Sequence, residues 1–259
     1  MTYKGRDGYS KISQIISLLA RYENKNRTEF VESLKDEIKK DFDNYTLESI
    51  NYNDNSKEVE KLLMLFNIME LNAVHKRFNF AVGSGGWSVE HIKAQHSKIA
   101  KDADRIVYLE KERNRIDKII QNERNKEKRA QYQKIVNQVN DIISHSSLNE
   151  KTLTNIAESI DQKIDDFGEF DMHSLGNLAL LSKTDNSVFN NSPFYEKRQK
   201  MLHLLNKASE NIPYATVKIF LKMYSPQDYS LDFTKWSKSD VDYLFSRQRE
   251  LLKYFIKEQ

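Results

Sequence analysis

Apolar residues recur along the first third of the chain at helical spacing. Ile12, Ile15, Ile16 and Leu19 fall on one face of a helix, and Phe30, Leu34 and Ile38 repeat the pattern. Val59, Leu62, Leu63, Phe66 and Met69 form a third stripe, and packing into a helical core is the ordinary use of all three. The pattern then changes. Phe78-Asn79-Phe80-Ala81-Val82 runs into the loop Gly83-Ser84-Gly85-Gly86, and Trp87 to Ile92 alternates as a short strand with Trp87, Val89 and His91 on one face. From 97 to 146, Ile106, Leu109, Ile116, Ile119, Ile120, Ile135, Val139, Ile142 and Ile143 predict two long helices packed as an antiparallel pair. Leu153 to Ile164 reads as another helix, Asp171 to Leu181 as a strand or hairpin arm, and the stretch through Asn191 as a loop. Ser192-Pro193 supplies a helix start, with Ser as cap and Pro in the first turn. Two more amphipathic helices are expected, around Phe220 and from Leu244 to Phe255.

Composition narrows this picture. The 259 residues are 31% charged and 39% hydrophobic, with only 7 Gly and 3 Pro, which suits long uninterrupted helices. There is no cysteine, so disulfides, thiolate zinc sites and a cysteine nucleophile are excluded. No apolar run approaches the roughly 18 residues of a membrane span, and Met1 to Ser10 lacks a signal-peptide core, so a cytoplasmic location without membrane attachment is expected. The net charge of +3 is too mild to name a partner. Charge is local instead: Ser97 to Lys134 holds twelve Lys or Arg against seven Asp or Glu. A solvated helical face accounts for that excess, and so does a surface that meets phosphates. The Gly-rich loop lacks the Lys-Ser/Thr ending of a phosphate-binding loop.

Hydrolysis of a phosphodiester at neutral pH needs a base for water, a cation for the phosphate and leaving oxygen, and a group that holds the base. Histidine suits the first task. Oxygen ligands suit a hard cation. Glu90-His91 lies on the strand after the loop, where adjacent side chains point to opposite faces. Asn177, Asn186 and Asn190 supply amides that could complete a metal site with Glu90 or orient His91.

These residues carry a resemblance. Trp87-Ser88-Val89-Glu90-His91-Ile92 resembles the Trp-x-x-Glu-His-Ile entry of the GmrSD-type restriction nucleases, whose C-terminal domain is an HNH, or His-Me finger, nuclease. His173-Ser174-Leu175-Gly176-Asn177-Leu178-Ala179-Leu180-Leu181 is similar to its second strand. Asp185-Asn186, Asn190, Phe194 and Lys197-Arg198 are similar to its closing segment. Leu65 to Ile68, Arg77 to Phe80 and Ala215 to Lys222 extend the likeness over roughly 60 to 245, with gaps across the charged insertion.

The resemblance implies a mainly α fold with a small ββα-metal finger embedded among helices. It implies an N-terminal helical region over 1–80, a nuclease domain over 81–210 interrupted by a helical insertion at about 97–170, and a helical tail over 211–259. His91 would be the general base and Asn177 would position it. Glu90 and Asn186, with Asn190, would hold one divalent ion, and Lys197 or Arg198 would contact phosphate. The basic helices carrying Lys126, Lys128 and Arg129 would flank the nucleic-acid path. Glu stands where many such fingers have Asp, and Asn where many have His. Amide and carboxylate oxygens favour Mg²⁺ or Mn²⁺ over Zn²⁺. With no cysteine-bound zinc, Trp87, Leu178, Leu180 and Phe194 must brace the finger as core residues, and His173 is read as a structural hydrogen-bonding residue. The activity implied is endonucleolytic cleavage, with DNA ahead of RNA, in restriction or anti-phage defence. The alternative is an inactive nucleic-acid- or partner-binding module of a defence complex. Regulation by a separate sensor subunit is expected, with Ile12, Ile15, Ile16 and Leu19 as its docking stripe if exposed, unless the chain is a fragment of a longer protein.

Overall fold

The computed structural model describes residues 13, 16–17, 19–20, 22–80, 86–94, 102–145, 152, 155–156, 159–160, 171–189, 192–207, 212–226, 233 and 235–257. The chain divides into two compact units, Met1–Ser49 with Leu252–Gln259, and Ile50–Leu251. The third apolar stripe lies in the same unit as the strands.

In the first unit, α1 (Arg27–Lys40) starts at Asn26, whose side chain accepts from the Glu29 amide while the Glu29 carboxylate accepts from the Asn26 amide. Ile16 and Leu19 are 60% and 63% exposed, whereas Ile12 and Ile15 lie outside the described residues.

The second unit opens with α2 (Ser56–Ala73), which buries Val59, Leu62, Leu63 and Phe66 as its periodicity predicts. The strand β1 (Trp87–His91) pairs antiparallel with β2 (Leu178–Ser182), in the register Trp87 with Ser182 through His91 with Leu178. All five residues of β2 are buried. Leu-Ala-Leu-Leu-Ser does not alternate because both of its faces are covered, with α2 and the later helices packed around it. Each buried leucine there contributes about 1.5–3 kcal/mol. Between the strands, α3 (Asp102–Asn122) and α4 (Lys126–His145) form the expected helical pair. Their seam is Leu109, Ile116, Tyr132, Ile135, Val136 and Val139, joined by Ile156 and Ile160.

Two expectations need correction after β2. The stretch read as a loop contains the helix α5 (Lys183–Phe189), which packs on both strands. Its start is fixed by Ser182, whose hydroxyl donates to Asp185 Oδ2 at 2.7 Å and accepts from the Asp185 amide. The helix α6 (Phe194–Asn206) has Pro193, not Ser192, at its cap position. Ser192 is buried, and its hydroxyl accepts from Lys200 Nζ at 2.6 Å. The tail holds α7 (Tyr214–Phe220) and α8 (Lys238–Leu252). Asn67 of α2 accepts from the Ala215 amide at 2.8 Å and so ties α7 to α2. Thr216 donates to the carbonyl of Leu180 at 2.6 Å. Among the described residues, no helix is long and apolar enough to cross a membrane.

Candidate functional site

The site lies at the end of β1 and the entry to β2. Before β2, residues Leu175–Asn177 make one 3-10 turn. Gly176 is required there. A Cβ on it would stand 2.9 Å from Val241 Cγ1 and would overlap the Val241 carbonyl. Its own carbonyl accepts from Trp236 Nε1 at 3.2 Å, and the Leu175 carbonyl accepts from Gln248 Nε2 at 3.1 Å. The turn is thus seated on α8 and the segment before it.

Asn177 is fully buried and acts as a clamp. Its Oδ1 accepts from the Lys93 amide at 2.9 Å, while its Nδ2 donates to the carbonyls of Lys93 at 3.1 Å and Met172 at 2.9 Å. Its backbone carbonyl accepts from the Ile92 amide at 2.8 Å. These bonds fix the backbone just beyond His91 to the backbone just before His173. Asn177 therefore sets the spacing of the two histidines through the main chain and makes no side-chain bond to either.

His91 Nε2 lies 3.1 Å from His173 Nδ1, and the rings meet edge to face. Tyr52 also packs edge to face with His91, and its amide donates to the His173 carbonyl at 3.1 Å. Asp171 Oδ1 accepts from the His173 amide. Burial pushes the His91 imidazole down to about 4, with further lowering by His173 and Lys197 and opposition from Asp171. At neutral pH the ring is uncharged and can accept a proton.

Glu90 points to the opposite face of β1, as strand geometry requires. Its Oε1 lies 2.6 Å from Lys197 Nζ, and that ammonium also donates to the His91 carbonyl at 2.5 Å. The Lys197 side chain is 1% exposed. Burial raises the Glu90 carboxyl above its ordinary value despite Lys197. Burial likewise lowers the Lys197 ammonium despite Glu90. Desolvation therefore outweighs attraction on both partners, and the pair holds position more than it adds stability.

Asn186, on α5, donates from Nδ2 to Ser88 Oγ at 2.7 Å and more weakly to the Val89 carbonyl at 3.4 Å. Ser88 and Glu90 are two apart on β1 and share a face, so Asn186 stands on the Glu90 side. Its Oδ1 is buried with no hydrogen-bond partner. The structure thus joins His91 with His173 and Tyr52, and sets Glu90 with Lys197, and Asn186 with Ser88, on the opposite face of β1. Asn190 lies outside the described residues. Lys197 sits in the interior and not on the exposed face that a phosphate contact would use. Arg198 is partly buried, with its guanidinium 4.9 Å from the centre of the Phe233 ring. Lys126, Lys128 and Arg129 are exposed at the start of α4. Sequence reasoning missed Tyr52 altogether, since no local motif marks it. Ser88 stands inside a motif, but nothing in the sequence gives it a role.

Among the described residues, no group of three or more His, Asp or Glu side chains converges to hold a metal ion.

Residues 154–254 match the family model described as GmrSD restriction endonucleases, C-terminal domain. The matched stretch contains β2 and α5 to α8, with Asn177, Asn186, Lys197 and Arg198, and begins beyond Glu90 and His91. No curated protein and no solved structure matches the chain. The match agrees with the resemblance seen in the motifs and points to a nuclease of restriction-endonuclease type.

Proposed function

We propose that this chain is an HNH-type, metal-dependent endonuclease that hydrolyses phosphodiester bonds, with DNA ahead of RNA, in restriction or anti-phage defence. The family match supplies the class of activity. One observation carries the finer reading: the buried Asn186 Oδ1 has no partner although its own amide nitrogen is anchored on the Glu90 face of β1. A buried acceptor left open in this way fits a cation, and oxygen donors fit Mg²⁺ or Mn²⁺, which keep several waters of their own. The strand-strand-helix order of β1, β2 and α5 supports a ββα-metal finger.

In this reading Glu90 and Asn186 would hold the ion, with Asn190 as a further amide. When bound, it would neutralise charge on the phosphate and the leaving oxygen. His91, uncharged and held by Asn177 and His173, takes a proton from the attacking water. Lys197 fixes the Glu90 carboxylate and the His91 carbonyl, so both ends of the Glu-His pair are held. Arg198, Lys126, Lys128 and Arg129 contact the phosphate backbone. A separate sensor subunit remains the proposed regulator, and the exposed Ile16 and Leu19 fit a docking stripe.

Plasmid cleavage with Mg²⁺, Mn²⁺ or EDTA tests the reading. The wild type should cut with either metal and not with EDTA. His91→Ala should lose about 10²- to 10⁴-fold in rate with its melting temperature retained. Asn186→Ala should need more metal for half-maximal rate. Full activity of His91→Ala would overturn the assignment of the base.

A further inference from the structure

Trp87, read from sequence as a core residue, is only partly buried and lines a cavity of about 240 Å³ at the start of β1. Phe78, Tyr214 and Val217 share its lining, as do Lys76 and Arg77. Phe78 packs on Trp87 with ring centres 5.4 Å apart. The approach to this cavity is built by a single backbone feature. His75 adopts φ +56° at the end of α2, and the Lys76 amide donates back to the Leu71 carbonyl at 2.9 Å. That left-handed residue ends the helix and sends Lys76, Arg77 and Phe78 across to Trp87.

From this geometry we infer that the cavity is a subsite for one unpaired nucleotide of the nucleic-acid strand, with its base among Phe78, Trp87 and Tyr214 and its phosphate at Lys76 and Arg77. Three observations carry this. The walls are aromatic, and every base has a face that stacks on such rings. Lys76 and Arg77 are exposed, and neither is in an ion pair among the described residues, which leaves two cations for an anion. An apolar peptide segment would have no use for them. The volume is below the roughly 300–1,000 Å³ of sites for drug-sized ligands, and suits one base rather than two.

Position adds the fourth link. Trp87 and His91 stand four residues apart on one face of β1, about 13 Å at strand rise. The subsite would therefore hold a nucleotide about four stacked steps from the bond at His91, or fewer if the strand is extended. A paired base cannot enter a cavity of this size without leaving its stack. Single-stranded substrate, or a duplex with an orphan base, should therefore occupy the subsite, and a perfect duplex should not. This inference rests on the nucleic-acid reading of the neighbouring site, but its readout does not depend on cleavage.

The test uses the full chain in the His91→Ala background, so that the probe stays intact. Oligonucleotides carry 2-aminopurine at successive positions, either single-stranded or opposite an abasic site in a duplex. Binding should quench the fluorescence at one position or two neighbouring ones. Phe78→Leu or Tyr214→Leu should abolish that quench and weaken single-strand binding about ten-fold or more, the scale of one base–aromatic stack. The exposed Arg77→Ser should weaken binding without lowering the melting temperature, which separates loss of the subsite from loss of the fold. A deoxynucleoside monophosphate should also quench wild-type tryptophan fluorescence and fail to do so in Trp87→Phe, since the other tryptophan, Trp236, is buried. Quenching in a wild-type protein that cleaves nothing would leave the subsite standing and end the nuclease reading. Metal-dependent cleavage with no position quenched, or equal quenching in Phe78→Leu and Tyr214→Leu, would overturn the subsite and leave the nuclease reading untouched.

Discussion

At the residue scale, Lys197 departs most from what sequence alone suggests. A lysine beside an arginine on an amphipathic helix reads as a phosphate contact, yet here it is buried with Glu90. Nothing local in the sequence marks this, because the partner lies on a strand 107 positions upstream. Lys197→Met should therefore leave an uncompensated carboxylate in the interior, and urea denaturation should show a loss of about 3–5 kcal/mol. Adding Glu90→Gln should recover part of that stability without restoring cleavage. If Lys197→Met were as stable as the wild type, Glu90 would not be charged in the folded protein. By contrast, Glu90, His91, Asn177 and Asn186 are legible as candidates because motif order and spacing survive in the linear chain. Tyr52 is not, since an edge-on ring contact leaves no pattern in sequence.

At the scale of elements, periodicity finds the long helices and β1, starts β2 too early, since 171–177 is turn and 3-10 helix and the strand is Leu178–Ser182, and misses α5. The reason is length. Seven residues give too few turns for an apolar repeat, and only Phe189 of that helix is buried. The placement of Asn186 on a helix, where its side chain can reach Ser88, is invisible for the same reason. Gly176 illustrates the opposite case, since a glycine before a buried strand signals close approach of backbone. Gly176→Ala should push the turn away from Val241 and cost about 1–3 kcal/mol by overpacking. Because Asn177 is next in the chain, single-turnover cleavage should fall with it, whereas a fall in stability alone would separate the turn from the site. A second clamp joins α2 to α7 and α8. Glu70, 2% exposed, accepts from Lys218 Nζ at 2.5 Å and Arg247 Nε at 2.7 Å. Burial pushes its carboxyl up, but those two hydrogen bonds with their charges outweigh burial and hold it below its ordinary value. A carboxyl depressed by folding stabilises the protein above the ordinary carboxylate range, and that contribution is lost as pH falls through it. Glu70→Gln should therefore lower the melting temperature at pH 7 by the equivalent of about 1.5–3 kcal/mol and flatten its decline below pH 5. An unchanged acid limb in that variant would mean that other carboxylates govern acid unfolding.

For the whole molecule, charge matters by location and not by total. The excess of basic residues falls in the α3–α4 insertion, and Lys126, Lys128 and Arg129 are exposed at its turn. Reversing all three to Glu should weaken binding to duplex DNA regardless of its sequence. The slope of log affinity against log salt should become shallower by about 3, close to one for each phosphate that is no longer neutralised. An unchanged slope would make the insertion a solvated face. At the level of sequence a solvated face is the ordinary explanation and phosphate contact the functional one, and the fold shows that these side chains are exposed and outside the apolar seam.

The insertion has one further consequence. It separates β1 from β2 in the chain, yet its own seam holds α3 against α4. The turn at 123–125 between those helices lies away from the strands in sequence, with Asn125 capping α4 through the amides of Glu127 and Lys128. Opening the peptide bond there would yield two polypeptides, one with Glu90 and His91 and the other with Asn177, Asn186 and Lys197. Each would carry only part of the candidate site, and the helical pair would act as the zipper that reunites them. The molecule is therefore suited to conversion into a two-component system, in which the candidate site is completed only when both pieces are made.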